Sequence, residues 1–139
     1  MTNILVPMDD SDPARMALEH ACETYPDAEL TVLHVTDPSD SDLYTKLTSG
    51  ETSFEEYHQE RIDEMFQRAR TVAAKYDQSI STEMRAGKPS TEIVRFAEEA
   101  EVDHIVVGSH GRTGPSRVLL GSVAEHVVRR SPVPVTIVR

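Results

Sequence analysis

One run of residues has the types and spacing to hold phosphate: Gly108-Ser109-His110-Gly111-Arg112-Thr113-Gly114-Pro115-Ser116-Arg117-Val118-Leu119-Leu120-Gly121-Ser122. It follows a short apolar run, Ile105-Val106-Val107, and precedes a helical pattern from Val123 to Arg130. Ser122 and Glu125 have the S-x-x-E spacing of a capping box, which predicts the helix N-terminus at Ser122. A strand, a glycine-rich loop and a helix start, in that order, form an anion site. Glycines let backbone N–H groups come close, and the first helical turn leaves N–H groups free.

Charge points to the same place. The chain carries 24 acids in 139 residues, yet between His104 and Ala124 there is none. From His104 onward five arginines face one acid, whereas the first 103 residues hold nine Lys/Arg and 23 acids. A polyanion can approach so acidic a protein only where acids are locally missing. Arg112 and Arg117, inside the loop, are candidate phosphate clamps.

The remaining chemistry-bearing residues form no catalytic set. No G-K-[ST] follows the glycines, so the loop is not a Walker P-loop. His20, His58 and His126 fall on expected helices, His104 opens a strand, and His34 ends one. No Cys/His spacing suggests zinc. His110 is a ligand contact without an evident partner to make it a base. Cys22 is the single cysteine, which excludes an internal disulfide and fits a reducing cytoplasm; its place on an apolar helix face makes it packing. No apolar run reaches the ~18 residues of a membrane span, and the N-terminus lacks a signal-peptide pattern. A pI of 4.9 without a basic face excludes nucleic acid as the expected partner.

The elements that position these residues alternate. Asn3 to Pro7 reads as a buried strand, with Met8-Asp9-Asp10-Ser11 as the turn after it. A helix starts at Asp12-Pro13, with proline in the first turn; Ala14, Ala17, Leu18, Ala21, Cys22 and Tyr25 form its inner face. Leu30 to Val35 is the second strand. Thr36 to Ser53 is the longest irregular stretch, expected to be mobile. A long helix runs from Phe54 to Tyr76, with Phe54, Tyr57, Ile62, Met65, Ala69, Val72, Ala73 and Tyr76 inward. Ile80, Thr82, Met84 and Ala86 alternate with Ser81, Glu83 and Arg85, which suits an edge strand. Gly87-Lys88-Pro89-Ser90 turns into a helix with Ile93, Val94, Ala97 and Ala100 inward. His104 to Val107 is the fourth strand, Val123, Val127 and Val128 face inward on the last helix, and Val133 to Val138 is the fifth strand. This β-α alternation over residues 1–139 predicts one α/β domain, a parallel sheet with helices on both faces.

The spacing Gly108-x2-Gly111-x9-Gly121-Ser122 resembles the phosphate loop of the universal stress protein family, in its ATP-binding branch. Further resemblance lies in Ile4-Leu5-Val6-Pro7-Met8-Asp9, Leu33-His34-Val35, Gly87-x-Pro89 and Pro134-Val135-Thr136-Ile137-Val138, so it spans nearly the whole chain. The resemblance implies a five-stranded doubly wound sheet of order 3-2-1-4-5, Rossmann-like, with the ligand at the reversal between strands one and four. It further implies that Pro7, Met8, Asp9 and Val35 line the adenine and ribose. Gly108, Ser109, His110, Gly111, Arg112, Thr113 and Gly114 would wrap the ribose and phosphates, and Gly121, Ser122 and Val123 would hold the phosphates. ATP is the implied ligand, with Mg2+ or Mn2+ held through the phosphates and Ser122. Ala124 stands where several ATP-binding members have a hydroxyl.

The function implied is a nucleotide-dependent cytoplasmic regulator of the stress response. It would be at most a slow ATPase, because fast phosphoryl transfer needs a positioned nucleophile, metal ligands and charge clamps. A homodimer through strand 133–138 is implied as well, and the apolar edge strand invites such pairing. The alternatives are a dimeric interaction module of the same fold without nucleotide and a response-regulator receiver domain, whose acidic pair Asp9-Asp10 imitates. The receiver reading lacks a phosphoacceptor aspartate after the third strand, where Arg85-Ala86-Gly87-Lys88 stands. An adenylate-transferring α-hydrolase-like enzyme would need a pyrophosphate loop near the N-terminus, and none is evident.

Three lysines against eleven arginines, with so many acids, also suggest a salt-loving source. At ~1 M salt the Debye length is about 3 Å, so repulsion among surface acids is screened. The composition therefore predicts an unfolding midpoint that rises between low and molar salt; a midpoint that stays flat contradicts a halophilic origin.

Overall fold

The computed structural model describes residues 2–39, 54–110 and 120–139, without the side chains of Phe54, Glu55 and Tyr57. The expectations placed on Gly111, Arg112, Thr113, Gly114 and Arg117, on the stretch 40–53, and on Phe54 and Tyr57 as core residues lie outside the described residues. The elements are β1 (Asn3–Pro7), α1 (Asp12–Thr24), β2 (Glu29–Thr36), α2 (Phe54–Ala74), β3 (Ile80–Ala86), α3 (Pro89–Glu99), β4 (His104–Gly108), α4 (Ser122–Arg130) and β5 (Val135–Val138).

The strands form one parallel sheet in the order β3-β2-β1-β4-β5. The doubly wound arrangement follows from chirality. From β1 the chain steps outward through α1 to β2 and through α2 to β3. It then returns to the other side of β1 and steps outward again through α4. Crossovers of one hand in opposite directions put their helices on opposite faces. Accordingly Ile4, Val6, Val32 and Val106 pack with α1 and α2 through Leu18, Ile62, Met65, Phe66 and Ala69. Leu5, Leu33, Ile105 and Val107 pack with α3 and α4 through Ile93, Phe96, Ala97 and Val127. Both faces of the central strands are covered, which is why β1 and β4 read as continuous apolar runs.

Helix α1 starts as its sequence asks. Ser11 is the N-cap, its hydroxyl accepts from the Ala14 amide at 3.2 Å, and Pro13 occupies the first turn. Cys22 is 1% exposed, and burial, helped by nearby Glu19, pushes its thiol up to about 11, so it remains protonated packing.

Several core positions differ from the periodicity. Phe66 and Phe96 are buried although neither was expected inward. Val94 is half-buried and Ala100 exposed, because α3 ends at Glu99 and Ala100 is its C-cap. On α4, Val127 faces the interior and Val123 packs partly against the second core as expected, joined by Ala124, but Val128, about 100° further round the helix, is 45% exposed. On β3, Ile80 packs on the first core and the Thr82 hydroxyl accepts from Arg70, but Met84 is 46% exposed. Arg85, on the polar side of the alternation, lies 5.0 Å over the Phe96 ring and reaches Glu99 at 2.7 Å.

Gly108 ends β4 directly beneath the first turn of α1. A Cβ there would stand 2.7 Å from the Pro13 carbonyl carbon and 2.9 Å from Pro13 Cβ. The backbone on both sides is in regular structure and cannot give way cheaply. Gly108→Ala is therefore expected to cost about 1–3 kcal/mol, read as a clear drop in melting temperature; an unchanged melting temperature contradicts this close approach.

Candidate functional site

The carboxyl ends of β1 and β4 are where the winding reverses, and the turns that leave them meet. Contact between Gly108 and Pro13 sets the end of β4 against α1, the helix into which Asp9-Asp10-Ser11 leads. Ile4 pairs with His104 and Leu5 with Ile105, which fixes the two strands side by side.

On the β1 side, Pro7 and Met8 are buried, and Met8 is part of the core, so only its backbone faces the crevice region. Its amide donates to the Leu33 carbonyl at 2.8 Å, and its carbonyl accepts from His34 Nδ1 at 2.8 Å. Since a carbonyl only accepts, His34 Nδ1 carries the proton. Asp9 is half-buried, and its Oδ1 takes both the amide and the hydroxyl of Ser11. Those bonds fold the turn that caps α1. Asp9 is thus a turn-forming aspartate whose second oxygen, Oδ2, makes no part of that turn. Asp10 follows in left-handed conformation, at φ 63°, paired with Arg68.

Val35 lies beyond the point where β1 leaves the sheet. The Leu33 carbonyl points toward β1, where it accepts from Met8, and the Thr36 carbonyl points toward β3, where it accepts from Gly87 at 2.8 Å. Backbone groups alternate sides along a strand, so the N–H and C=O of Val35 point to the β1 side, past the end of β1. The Val35 side chain packs on the second core. Next to it the Thr36 hydroxyl meets His58 Nε2 of α2 at 2.8 Å. Burial first, then His34 and Arg61 nearby, hold His58 below the ordinary imidazole range.

On the β4 side, Ser109 and Gly121 are clasped by the backbone. The Ser109 amide donates to the Val138 carbonyl at 2.9 Å, and the Gly121 amide donates to the Ser109 carbonyl at 2.7 Å. Those two N–H groups are spent within the protein. A Cβ on Gly121 would stand 3.0 Å from His110 Cα and 3.3 Å from the Ser109 carbonyl oxygen, so any side chain there presses on the clasp. Ser109 is 3% exposed and its hydroxyl lies 3.1 Å from His110 Nδ1.

The capping box expected of Ser122 and Glu125 is not made. Gly121 is the N-cap, without a side-chain bond, and Ser122 is the first helical residue. The Glu125 amide reaches back to the Gly121 carbonyl at 3.0 Å, one residue earlier than a capping box requires. Its side chain pairs instead with Arg129 at 3.1 Å. With Gly121 held by Ser109, the helix can only begin at Ser122. The N–H groups of Ser122, Val123 and Ala124 therefore precede the intrahelical ladder. Ser122 is exposed, Val123 half-buried and Ala124 2% exposed. Position 124 thus faces the interior, and a hydroxyl there would be packed.

The structure brings Pro7, Met8, Asp9, Gly108, Ser109, His110, Gly121, Ser122 and Val123 to the same end of two adjacent strands, with Val35 one strand over. Free amides with a positive dipole end lie at α4, and a carboxylate oxygen lies at β1. No cluster of three or more His, Cys, Asp or Glu suited to a metal occurs among the described residues. No described helix is long and apolar enough to cross a membrane. Sequence reasoning missed the parts played by His34 and Arg68. Their partners are 26 and 58 residues away, and no local spacing signals such contacts.

Known proteins agree with this arrangement. The chain is 38% identical over 141 residues to a universal stress protein of Methanocaldococcus jannaschii, covering 98% of this chain and 81% of that one. The solved structure of a universal stress protein from Lactobacillus plantarum superposes with a TM-score of 0.79 at 34% identity, over 99% of this chain and 97% of that one. A universal stress protein in complex with cAMP matches with a TM-score of 0.70 at 25% identity, over 99% of this chain and 96% of that one. The family model described as "Universal stress protein family" matches residues 1–139, and with the fold, the clasped loop and these relatives the chain belongs to the universal stress protein family.

Proposed function

We propose that the chain binds an adenine nucleotide, ATP foremost, in the crevice between β1 and β4, and acts as a nucleotide-dependent regulator in the stress response. The observation that carries this is the set of first-turn amides at Ser122 and Val123 that precede the helix ladder, at the end of a stretch, 108–122, whose sequence carries no acid. Charge orients the ligand. The Asp9 carboxylate repels phosphate and suits the sugar, while the start of α4 attracts phosphate. Val35 then meets the base. One N–H donor beside one C=O acceptor matches the N1 acceptor and N6 donor of adenine; guanine presents the reverse pair and mismatches. The relative in complex with cAMP supports an adenine ligand.

Gly111, Arg112, Thr113 and Gly114 complete the loop around ribose and phosphates. Mg2+ or Mn2+ accompanies the phosphates, with the exposed Ser122 hydroxyl as the protein's ligand. Its chemistry there is charge neutralisation. Hydrolysis is at most slow, because fast phosphoryl transfer needs a positioned nucleophile, metal ligands and charge clamps together. The protein works in the cytoplasm of a salt-adapted cell as a homodimer through the β5 edge, all four of whose residues stay partly exposed. A monomeric mass at micromolar concentration contradicts the dimer.

Calorimetry with ATP and magnesium tests the binding. One saturable site per chain is expected, with GTP at least about tenfold weaker. Ser122→Pro deletes one phosphate-facing amide and a hydroxyl without disturbing the helix, because proline suits the first helical position. Gly121, at φ −67° and ψ 159°, already has the conformation a residue before proline needs. The loss expected is about tenfold to a hundredfold. Gly121→Val, which forces the clasp open, is expected to abolish binding. Absence of saturable binding to the wild type favours the interaction module without nucleotide.

A further inference from the structure

Among the described residues, three non-glycine residues have positive φ: Asp10 at 63°, Asp77 at 57° and Glu101 at 54°. Asp77 and Glu101 follow the ends of α2 and α3, the usual place for such a conformation. Asp10 is different. It precedes a helix, and it sits in the turn that carries Asp9. Aspartate tolerates left-handed backbone better than most residues, yet not for free. One contact from outside the turn holds it: Arg68 Nη2 of α2 lies 2.7 Å from Asp10 Oδ1.

We propose that Arg68 is a positioning residue for sugar recognition. Through Asp10 it holds the β1–α1 turn so that Asp9 Oδ2 accepts a hydrogen bond from a ribose hydroxyl. This rests on the nucleotide-binding reading above. The turn has two anchors. On one side Ser11 takes Asp9 Oδ1 with its amide and its hydroxyl and caps α1. These bonds fix one oxygen of the carboxylate and leave Oδ2 outside the turn's own hydrogen bonds. On the other side the Arg68–Asp10 pair fixes the residue between them. Without that pair Asp10 is free to leave the left-handed region, and the peptide on which Asp9 turns rotates with it.

A purely structural role fits the pair poorly. Its side chains are 56% and 38% exposed, and an ion pair so open to water adds little to global stability. A direct phosphate contact by Arg68 is also disfavoured, since its guanidinium already holds the carboxylate. What the pair can do is choose among local conformations of one turn, which takes little free energy. It ties α2 to the sugar side of the site, while His58, on the same helix, ties it to the end of β2 at Thr36.

The test is calorimetry with AMP, 2′-deoxy-AMP and 3′-deoxy-AMP on the wild-type protein and on Arg68→Ala, Arg68→Lys and Asp10→Gly. All three ligands carry the same charge, so their affinity ratios are insensitive to the removal of a nearby cation. The wild type is expected to prefer AMP over at least one deoxy form by about tenfold. Arg68→Ala and Asp10→Gly should both bring that ratio to about threefold or less, with melting temperatures moved by less than about 4 °C. Arg68→Lys, which keeps a donor and the charge, should restore most of the preference. Asp10→Gly separates two explanations, because glycine adopts positive φ at no cost but cannot pair. An Arg68→Ala protein with the wild-type ratio overturns the inference, as does a wild type that binds all three ligands equally. A wild type that binds none overturns this inference together with the nucleotide reading, whereas a wild type that binds AMP with an unmoved ratio in the variants overturns this inference only.

Discussion

The structure depends on one constraint: two parallel crossovers of the same hand leave the central pair, β1 and β4, in opposite directions. Their helices must then lie on opposite faces, and nothing in the topology fills the space above the carboxyl ends of that pair. The gap comes with the winding. The described residues place the end of β4 and the start of α4, with its first-turn amides, at this gap, and apolar residues cover both faces of the strands below. The fold thus creates the crevice at no separate cost, and the side chains around it need only supply charge and hydrogen-bonding direction.

Glycine at the two ends of the 108–121 stretch has a packing role of its own. At Gly108 the pressure comes from Pro13, and at Gly121 from His110 Cα. Each glycine lets two backbones touch, and the second contact is locked by the Ser109–Gly121 hydrogen bond. The clasp brings the start of α4 back to the end of β4, so the free amides of the helix stand where the strand delivers them. The same small residue serves the packing and sets where the helix opens.

Much of the fold is legible in the chain. The alternation of apolar runs with helical faces marks all five strands and four helices of the described residues, and Ser11, Pro13 and Ala14 announce α1 through local chemistry. The strand order is a different matter, since it reflects contacts between distant segments and reached the reading only through family resemblance. The S-x-x-E signal at Ser122 and Glu125 misleads by one residue because a tertiary bond, Ser109 to Gly121, sets where the helix begins. Val128 and Ala100 misled because apolar identity says nothing about where a helix stops or how it is turned. Arg85 escaped notice because its aliphatic stem and charge settle on Phe96 and Glu99, partners invisible to a period-two pattern. At the start of α4 the sequence marks the glycine and the helix but not the bond that takes up the Gly121 amide, and the contacts of Arg68 and His34 leave no local signal.

The central claim is that the amides opening α4 receive the phosphates while Asp9 and Val35 face the nucleoside. Backbone amide chemical shifts followed during an ATP titration test it residue by residue. The account predicts that Ser122 and Val123 move most, with Asp9 and Val35 moving in the same saturable phase, while the outer ends of β3 and α3 stay still. Saturable shifts confined to another surface, with Ser122 and Val123 unmoved, would contradict it.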